Sequence, residues 1–137
     1  MEVLRLGIGS WGEVRALPSV LDFLMDLDPS QRKVVGKMMA LLRGFVPEQG
    51  PPSHNKQQSN VLEDGLFEFK VGQVRVLYFY DEEERAVVVC THAFFKRTQT
   101  TPKREIKRAK RVRGEYNDAR SKGMLRIVVL EGEEELP

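Results

Sequence analysis

Arg75, His92, Lys96 and Arg97 combine the residue types needed to cut RNA without a metal. In such cleavage the ribose 2′-hydroxyl attacks the adjacent phosphate. A base must take its proton, cations must hold the growing negative charge, and an acid must protonate the leaving oxygen. Arginine suits the second task because its planar, permanently charged fork grips two phosphate oxygens. Lysine suits the first once its pKa falls from about 10.4 towards neutrality. Neighbouring cations and partial desolvation both push in that direction, and Lys96 stands beside Arg97 in a region that also carries Arg75 and Lys70. His92 acts as acid or base with little adjustment. Plainer readings accompany each residue: an ion pair with a glutamate for Arg75, a hydrogen-bonded strand-end histidine for His92, a solvated strand residue for Lys70.

These residues need strands to hold them. LFEFKV, a turn around Gly72 and Gln73, VRVLYFY, a turn over DEEE, and AVVVCTHAFF read as a three-stranded antiparallel meander, rich in β-branched and aromatic residues. Alternation puts Arg75, Leu77 and Phe79 on one face of the middle strand and Val74, Val76, Tyr78 and Tyr80 on the other. Near the N-terminus, Leu4, Leu6 and Ile8 alternate as a short half-buried strand. VLDFLMDL and DPSQRKVVGKMMALLRG follow as two helices that read as a hairpin laid on the sheet. The second has Asp28 as N-cap, Pro29 in its first position and Gly44 as C-cap. Residues 47–60 read as a long surface loop.

After Phe95, a KRTQT linker leads to a helix with Thr101 as N-cap and Pro102 in the first position. Its apolar stripe is Ile106, Ala109, Val112, Tyr116 and Ala119. The other positions are almost all basic: Lys103, Arg104, Lys107, Arg108, Lys110 and Arg111 are candidate RNA-binding residues together with Lys70. Between Lys96 and Arg113 nine basic residues face one acidic one, a local charge of +8 in a chain whose net charge is only +2. Lys103 and Arg104 stand at the positive end of the helix dipole, where a cation costs about 0.3 to 1 kcal/mol. That placement favours a polyanion ligand over helix stability, nucleic acid first. MLRIVVL reads as a further strand and EGEEELP as an acidic tail, which could fold back to shield the basic surface.

Composition excludes other classes. A chain of 137 residues with 41% hydrophobic and 31% charged residues is the size and make-up of one globular domain. Cys90 is the single cysteine, so neither a disulfide framework nor a thiolate metal site is available. His54 and His92 lie far apart, and no metal or cofactor is implied. No phosphate-binding glycine loop or GxSxG motif is present. No membrane span or signal peptide is evident, and the cytoplasm is the expected compartment.

The blocks LEDGLFEFKVGQVRVLYFY and AVVVCTHAFFKRTQTTPKREIKRAK resemble the RelE/HigB toxin superfamily, in particular its phage-derived HigB-like branch. The specific part is HAFFKRTQTTPKREIKRA, in which strand, basic pair, TP helix start and EIxxA helix occur in order. The resemblance implies a compact α+β domain spanning 1–137, with 121–137 as an extra strand and tail. Its small antiparallel sheet would carry an N-terminal helical hairpin and a C-terminal basic helix, with helices on one side and cationic residues on the other. The implied activity is ribosome-dependent endoribonuclease cleavage of mRNA, silenced by a cognate helix-turn-helix antitoxin. Arg75 would contact the scissile phosphate, Lys96 and Arg97 would be the basic pair ending the last core strand, and His92 matches a histidine common in the branch. Thr98 and Gln99 stand where RelE has a catalytic tyrosine, so the base is not assigned by resemblance. The alternatives are a non-catalytic RNA-binding protein on the same scaffold and a basic helix that chiefly receives an acidic protein.

Overall fold

The computed structural model describes residues 1–52 and 57–130. Strands β1 (Glu2–Ile8) and β2 (Glu13–Ala16) form a hairpin. Helices α1 (Pro18–Met25) and α2 (Arg32–Ala40) follow, and a π-helical segment, Leu41–Phe45, runs on into α3 (Val46–Gln49). Then come β3 (Ser59–Val61), β4 (Phe67–Val71), β5 (Val74–Tyr80), β6 (Val87–Phe95), the long helix α4 (Lys103–Ser121) and β7 (Arg126–Val129). All seven strands join one sheet in the order β3-β4-β5-β6-β2-β1-β7.

The expected meander is β4–β5–β6, antiparallel throughout, with Arg75 directly opposite Lys70 on one side and Phe94 on the other. The sheet is nevertheless larger than the small antiparallel one expected, and it is mixed. Strand β2 pairs parallel with β6, and β7 pairs parallel with β1. Neither pairing is local, so no turn signal announces it. The N-terminal alternation also ends early. A register shift between Arg5 and Gly7 leaves Leu6 buried but Ile8 62% exposed.

Helices cover both faces of the sheet, not one. Val74, Val76 and Tyr78 of β5 and Val88 and Cys90 of β6 pack with Val20, Leu24, Met38 and Leu42 from the first helices. On the opposite face Leu77, Phe79, Val87, Val89 and Phe94 pack with Ala109 and Tyr116 of α4. Strands apolar on both sides cannot leave either to water, so a second layer must cover the face that α1 and α2 do not reach. α1 lies on β6 and the β1–β2 hairpin, and α2 on β4.

Some helix ends differ from expectation. Asp28 caps a 3₁₀ turn, Pro29–Gln31, that leads into α2, accepting the Ser30 N–H at 2.8 Å, while Gln31, the residue before α2, makes no side-chain cap. Gly44 does not end α2, because the helical backbone continues to Gln49. The terminator is Gly50, at φ 83°, where a Cβ would lie 2.8 Å from Trp11 Nε1. The loop expected over 47–60 therefore begins in α3 and ends in β3, while His54 and Lys56 lie outside the described residues, as does 131–137 with its acidic tail. At α4 the N-cap is Pro102, and the Thr101 hydroxyl is committed to another partner.

A buried polar network pins the C-terminal half of α4 to the sheet. Arg15, 2% exposed, donates to Glu13 at 2.6 Å, to the Tyr116 hydroxyl at 2.8 Å and to Glu84 at 2.8 Å. Tyr116 donates onward to Asp81 at 2.6 Å, and Arg120 also reaches Asp81. Burial alone would raise the Asp81 carboxyl. The Tyr116 hydrogen bond, the backbone N–H groups of Glu84 and Glu83, and the Arg120 charge instead hold it below the usual carboxylate range. Tyr116→Phe leaves the buried Arg15 Nη1 without its hydrogen-bond partner and removes one donor from Asp81, at a cost of about 1 to 3 kcal/mol, so thermal denaturation should show a Tm several degrees lower. The Asp81 contribution is complete above about pH 4 and is lost as pH falls further. Asp81→Asn should therefore show a shallower acid loss of Tm than the wild type.

Candidate functional site

Glu68 organises the end of the sheet where β6 finishes. Alternation along β4 turns Phe67 and Phe69 to the α1–α2 face and Glu68 to the α4 face, opposite Leu77. Its carboxyl group is only 1% exposed. Burying a carboxylate without donors is costly, and three residues answer it. Thr101 donates to Oε1 at 2.8 Å, Arg75 Nε lies 4.0 Å from Oε1, and Lys96 Nζ lies 4.0 Å from Oε2. This explains why Thr101 does not cap α4: the helix N–H groups can find water, whereas Glu68 cannot.

Arg75 and Lys96, read separately from the sequence as chemical candidates, thus meet around one carboxyl group. Arg75 is held by backbone oxygens, its Nη1 donating to Gly72 O at 2.7 Å and Val74 O at 3.1 Å. Its Nε is buried and makes no hydrogen bond among the described residues. Burial draws the guanidinium below its ordinary pKa and the Glu68 charge pulls it back, which leaves an arginine cationic at any working pH. Lys96 continues the β6 ladder, its N–H donating to Gln73 O at 2.7 Å. That bond sets it beside the β4–β5 turn. Arg97, next in the chain, is exposed. Lys70 sits across the ladder from Arg75.

His92 lies on the same face but inside the protein, 1% exposed. Nδ1 is 3.0 Å from the Thr91 hydroxyl, and Nε2 is 3.1 Å from Glu105 of α4. Burial first, then the charges of Arg108 and Arg111, push its pKa down to about 4. The ring is therefore neutral at pH 7. With Nε2–H donating to Glu105 and Nδ1 accepting from Thr91, both nitrogens are satisfied. The structure places His92 as a tie between β6 and the first turn of α4.

The basic residues of α4 divide into two sets. Lys110 is engaged by Glu63 at 3.1 Å and Asp64 at 3.9 Å. Arg113 and Arg120, which carry the same helix further, are likewise held by Asp64 and by Asp81 and Glu83. Lys103, Arg104, Lys107, Arg108 and Arg111 are exposed. Of these only Arg104 makes an ion pair among the described residues, at 3.8 Å to Glu105. The free charge is therefore gathered on the N-terminal half of α4, adjoining Lys96 and Arg97 through the 98–102 link.

Sequence reasoning missed Glu68 because a lone glutamate reads as solvated. The available signal was its place between two aromatic residues on an interior strand, which puts a charge on the same face as Arg75. Among the described residues no three acidic, histidine or cysteine side chains are placed to hold a metal, and no helix is long and apolar enough to cross a membrane.

No curated protein matches the chain significantly. Solved structures that match include the toxin–antitoxin complex RelBE2 from Mycobacterium tuberculosis, with 21% identity over 61% of this chain and 95% of that one and a TM-score of 0.45. The model of the family described as "Phage derived protein Gp49-like (DUF891)" matches residues 22–113, well over half of the sequence. Its limits take in β4, β5, β6 and the basic half of α4, hence every residue around Glu68. The HAFFKRTQTTPKREIKRA block resembles the RelE/HigB toxin superfamily, and the chain belongs to the Gp49-like family of phage-derived proteins.

Proposed function

We propose that this protein is a ribosome-dependent mRNA endoribonuclease, the toxin of a type II toxin–antitoxin pair, which stops translation by cutting mRNA in the cytoplasm. One observation carries the reading: Arg75 and Lys96 converge on a buried carboxyl group at the sheet end, beside a helix face whose exposed cations, Arg104 apart, lack acidic partners among the described residues. Family membership supports it. The whole chain acts as one toxin domain, to which 121–137 add the edge strand and an acidic tail.

In this reading RNA lies along Lys103, Arg104, Lys107, Arg108 and Arg111, which hold its phosphates, with Lys110 at the border. The ribose 2′-oxygen attacks phosphorus, forming one P–O bond as the bond to the 5′-oxygen breaks. Arg75 and Arg97 hold the phosphate oxygens as charge develops. Lys96 is the proton-transfer group, protonating the departing 5′-oxygen, while water takes the 2′-hydroxyl proton. Glu68 positions both cations. His92 positions the start of α4 and takes no proton from substrate. A helix-turn-helix antitoxin that presents acidic residues would silence the enzyme by covering the same cations.

Arg75→Ala should lower cleavage of mRNA on purified ribosomes by about 100-fold or more, and adding Lys96→Ala should abolish it. The double substitution strips Glu68 of both cations and lowers Tm, and Glu68→Gln in the same protein should restore Tm but not cleavage. A double variant that still cuts would refute these roles. RNA binding without cleavage by the wild type would instead favour a non-catalytic RNA-binding protein.

His92 yields a separate expectation. Its folded value of about 4 lies below the ordinary 6.5, so the unfolded chain binds the extra proton first. Its contribution to stability is complete above about pH 6.5 and is lost as pH falls towards 4. Compared with the wild type, His92→Gln should show a smaller fall in Tm over that interval and retain measurable cleavage at pH 7. Loss of all cleavage in a folded His92→Gln protein would return the histidine to the reaction.

A further inference from the structure

A second cationic surface lies on the α2 side of the sheet end, away from α4. A cleft of about 330 Å³ opens between α2 and β4, lined among others by Lys37, Leu41, Phe45, Gln58 and Lys70. Phe45 is 45% exposed in the π-helical segment, an unusual place to spend an aromatic ring. The π segment inserts an extra residue into the helical turn, and such turns recur at functional sites. Lys37 is exposed, and neither it nor Lys70 has an acidic partner among the described residues.

The cleft lies on the opposite face of β4 from Glu68, and the two meet at the end of the sheet. Lys70 lines it and is also the cross-strand partner of Arg75. The β4–β5 turn that accepts the Arg75 hydrogen bond packs on α2, since a Cβ on Gly72 would lie 3.2 Å from Val34 Cγ2. RNA whose scissile phosphate sat at Arg75 would have α4 on one flank and would reach this cleft by rounding the β4–β5 turn at the sheet end.

We infer that the cleft is a nucleotide subsite for single-stranded RNA, in which a base stacks on Phe45 and Lys37 and Lys70 hold the flanking phosphates. The inference rests on the RNA reading above. An aromatic face with nearby ammonium groups is the pattern by which proteins hold single-stranded nucleic acid without reading its sequence. The volume, at the low end for small-molecule sites, suits one nucleotide. An acidic protein segment would use the lysines but gain less from the ring.

The test measures binding of a fluorescein-labelled single-stranded RNA dodecamer by anisotropy across a salt series, without ribosomes. Phe45→Ala should weaken binding by about tenfold at an unchanged salt slope, and Phe45→Tyr should restore it, because any aromatic ring stacks. Lys37→Ala with Lys70→Ala should make the slope of log K against log salt shallower by about 1.4, taking roughly 0.7 per phosphate contact. Phe45 is half exposed, so the variants should keep the wild-type Tm. If Phe45→Ala binds within about twofold of the wild type, or Phe45→Tyr behaves as Ala, the subsite is overturned and a protein occupant is favoured. If the wild type binds and cuts RNA while the variants match it, only the subsite falls. If the wild type binds no free RNA, the subsite falls, and cleavage of mRNA on ribosomes decides the function proposed above separately. Wild-type binding that depends on Phe45, without cleavage on ribosomes, upholds the subsite and removes the nuclease.

Discussion

A carboxyl group buried where a strand meets the end of the sheet governs the arrangement. Glu68 is nearly sealed from water, and a carboxylate so placed must collect donors or destabilise the fold. Arg75, Lys96 and Thr101 answer it from three separate elements, two neighbouring strands and the approach to α4. The same contacts that neutralise Glu68 gather the cations at the end of the sheet. Arg75 keeps donors to spare, since its bonds use only one terminal nitrogen.

The basic helix is held at both ends by polar contacts rather than by its apolar stripe alone. Thr101 and the His92–Glu105 contact fix its start, and Arg15, Tyr116, Asp81 and Arg120 fix its far half. Acidic partners therefore absorb Lys110, Arg113 and Arg120, leaving the free charge at the end nearest Lys96. This resolves the cost of placing Lys103 and Arg104 at the positive end of a helix dipole. The cost is accepted where a polyanion would repay it, and the stabilising ion pairs sit elsewhere.

Period-two alternation made the meander and the face of Arg75 legible in the sequence, and period 3.6 made the buried stripe of α4 legible, Tyr116 included. The parts that escaped have physical causes. EVRA is four residues long and half charged, so nothing marks it as the buried strand β2, whose Arg15 is satisfied by groups from distant segments. The coverage of both sheet faces was present as a hint in VRVLYFY and AVVVC, whose apolar residues occupy both alternating sets. Gly44 looked like a helix stop because its residue type permits one. The helical run instead turns to positive φ at Gly50, against Trp11. Glu68 was hidden because residue type alone does not reveal that a glutamate is buried.

The chemistry assigned to Arg75 and Lys96 leaves a mark on its product. Attack by the ribose 2′-oxygen yields a 5′-hydroxyl on the downstream fragment and a 2′,3′-cyclic phosphate on the upstream one. Ribosomes programmed with a defined mRNA, incubated with the protein and analysed by mass spectrometry of the fragments, test this directly. The account predicts those two ends, at a cut within the codon the ribosome presents. Fragments with a 5′-phosphate and a 3′-hydroxyl, or an mRNA left whole while the protein binds it, would contradict the account.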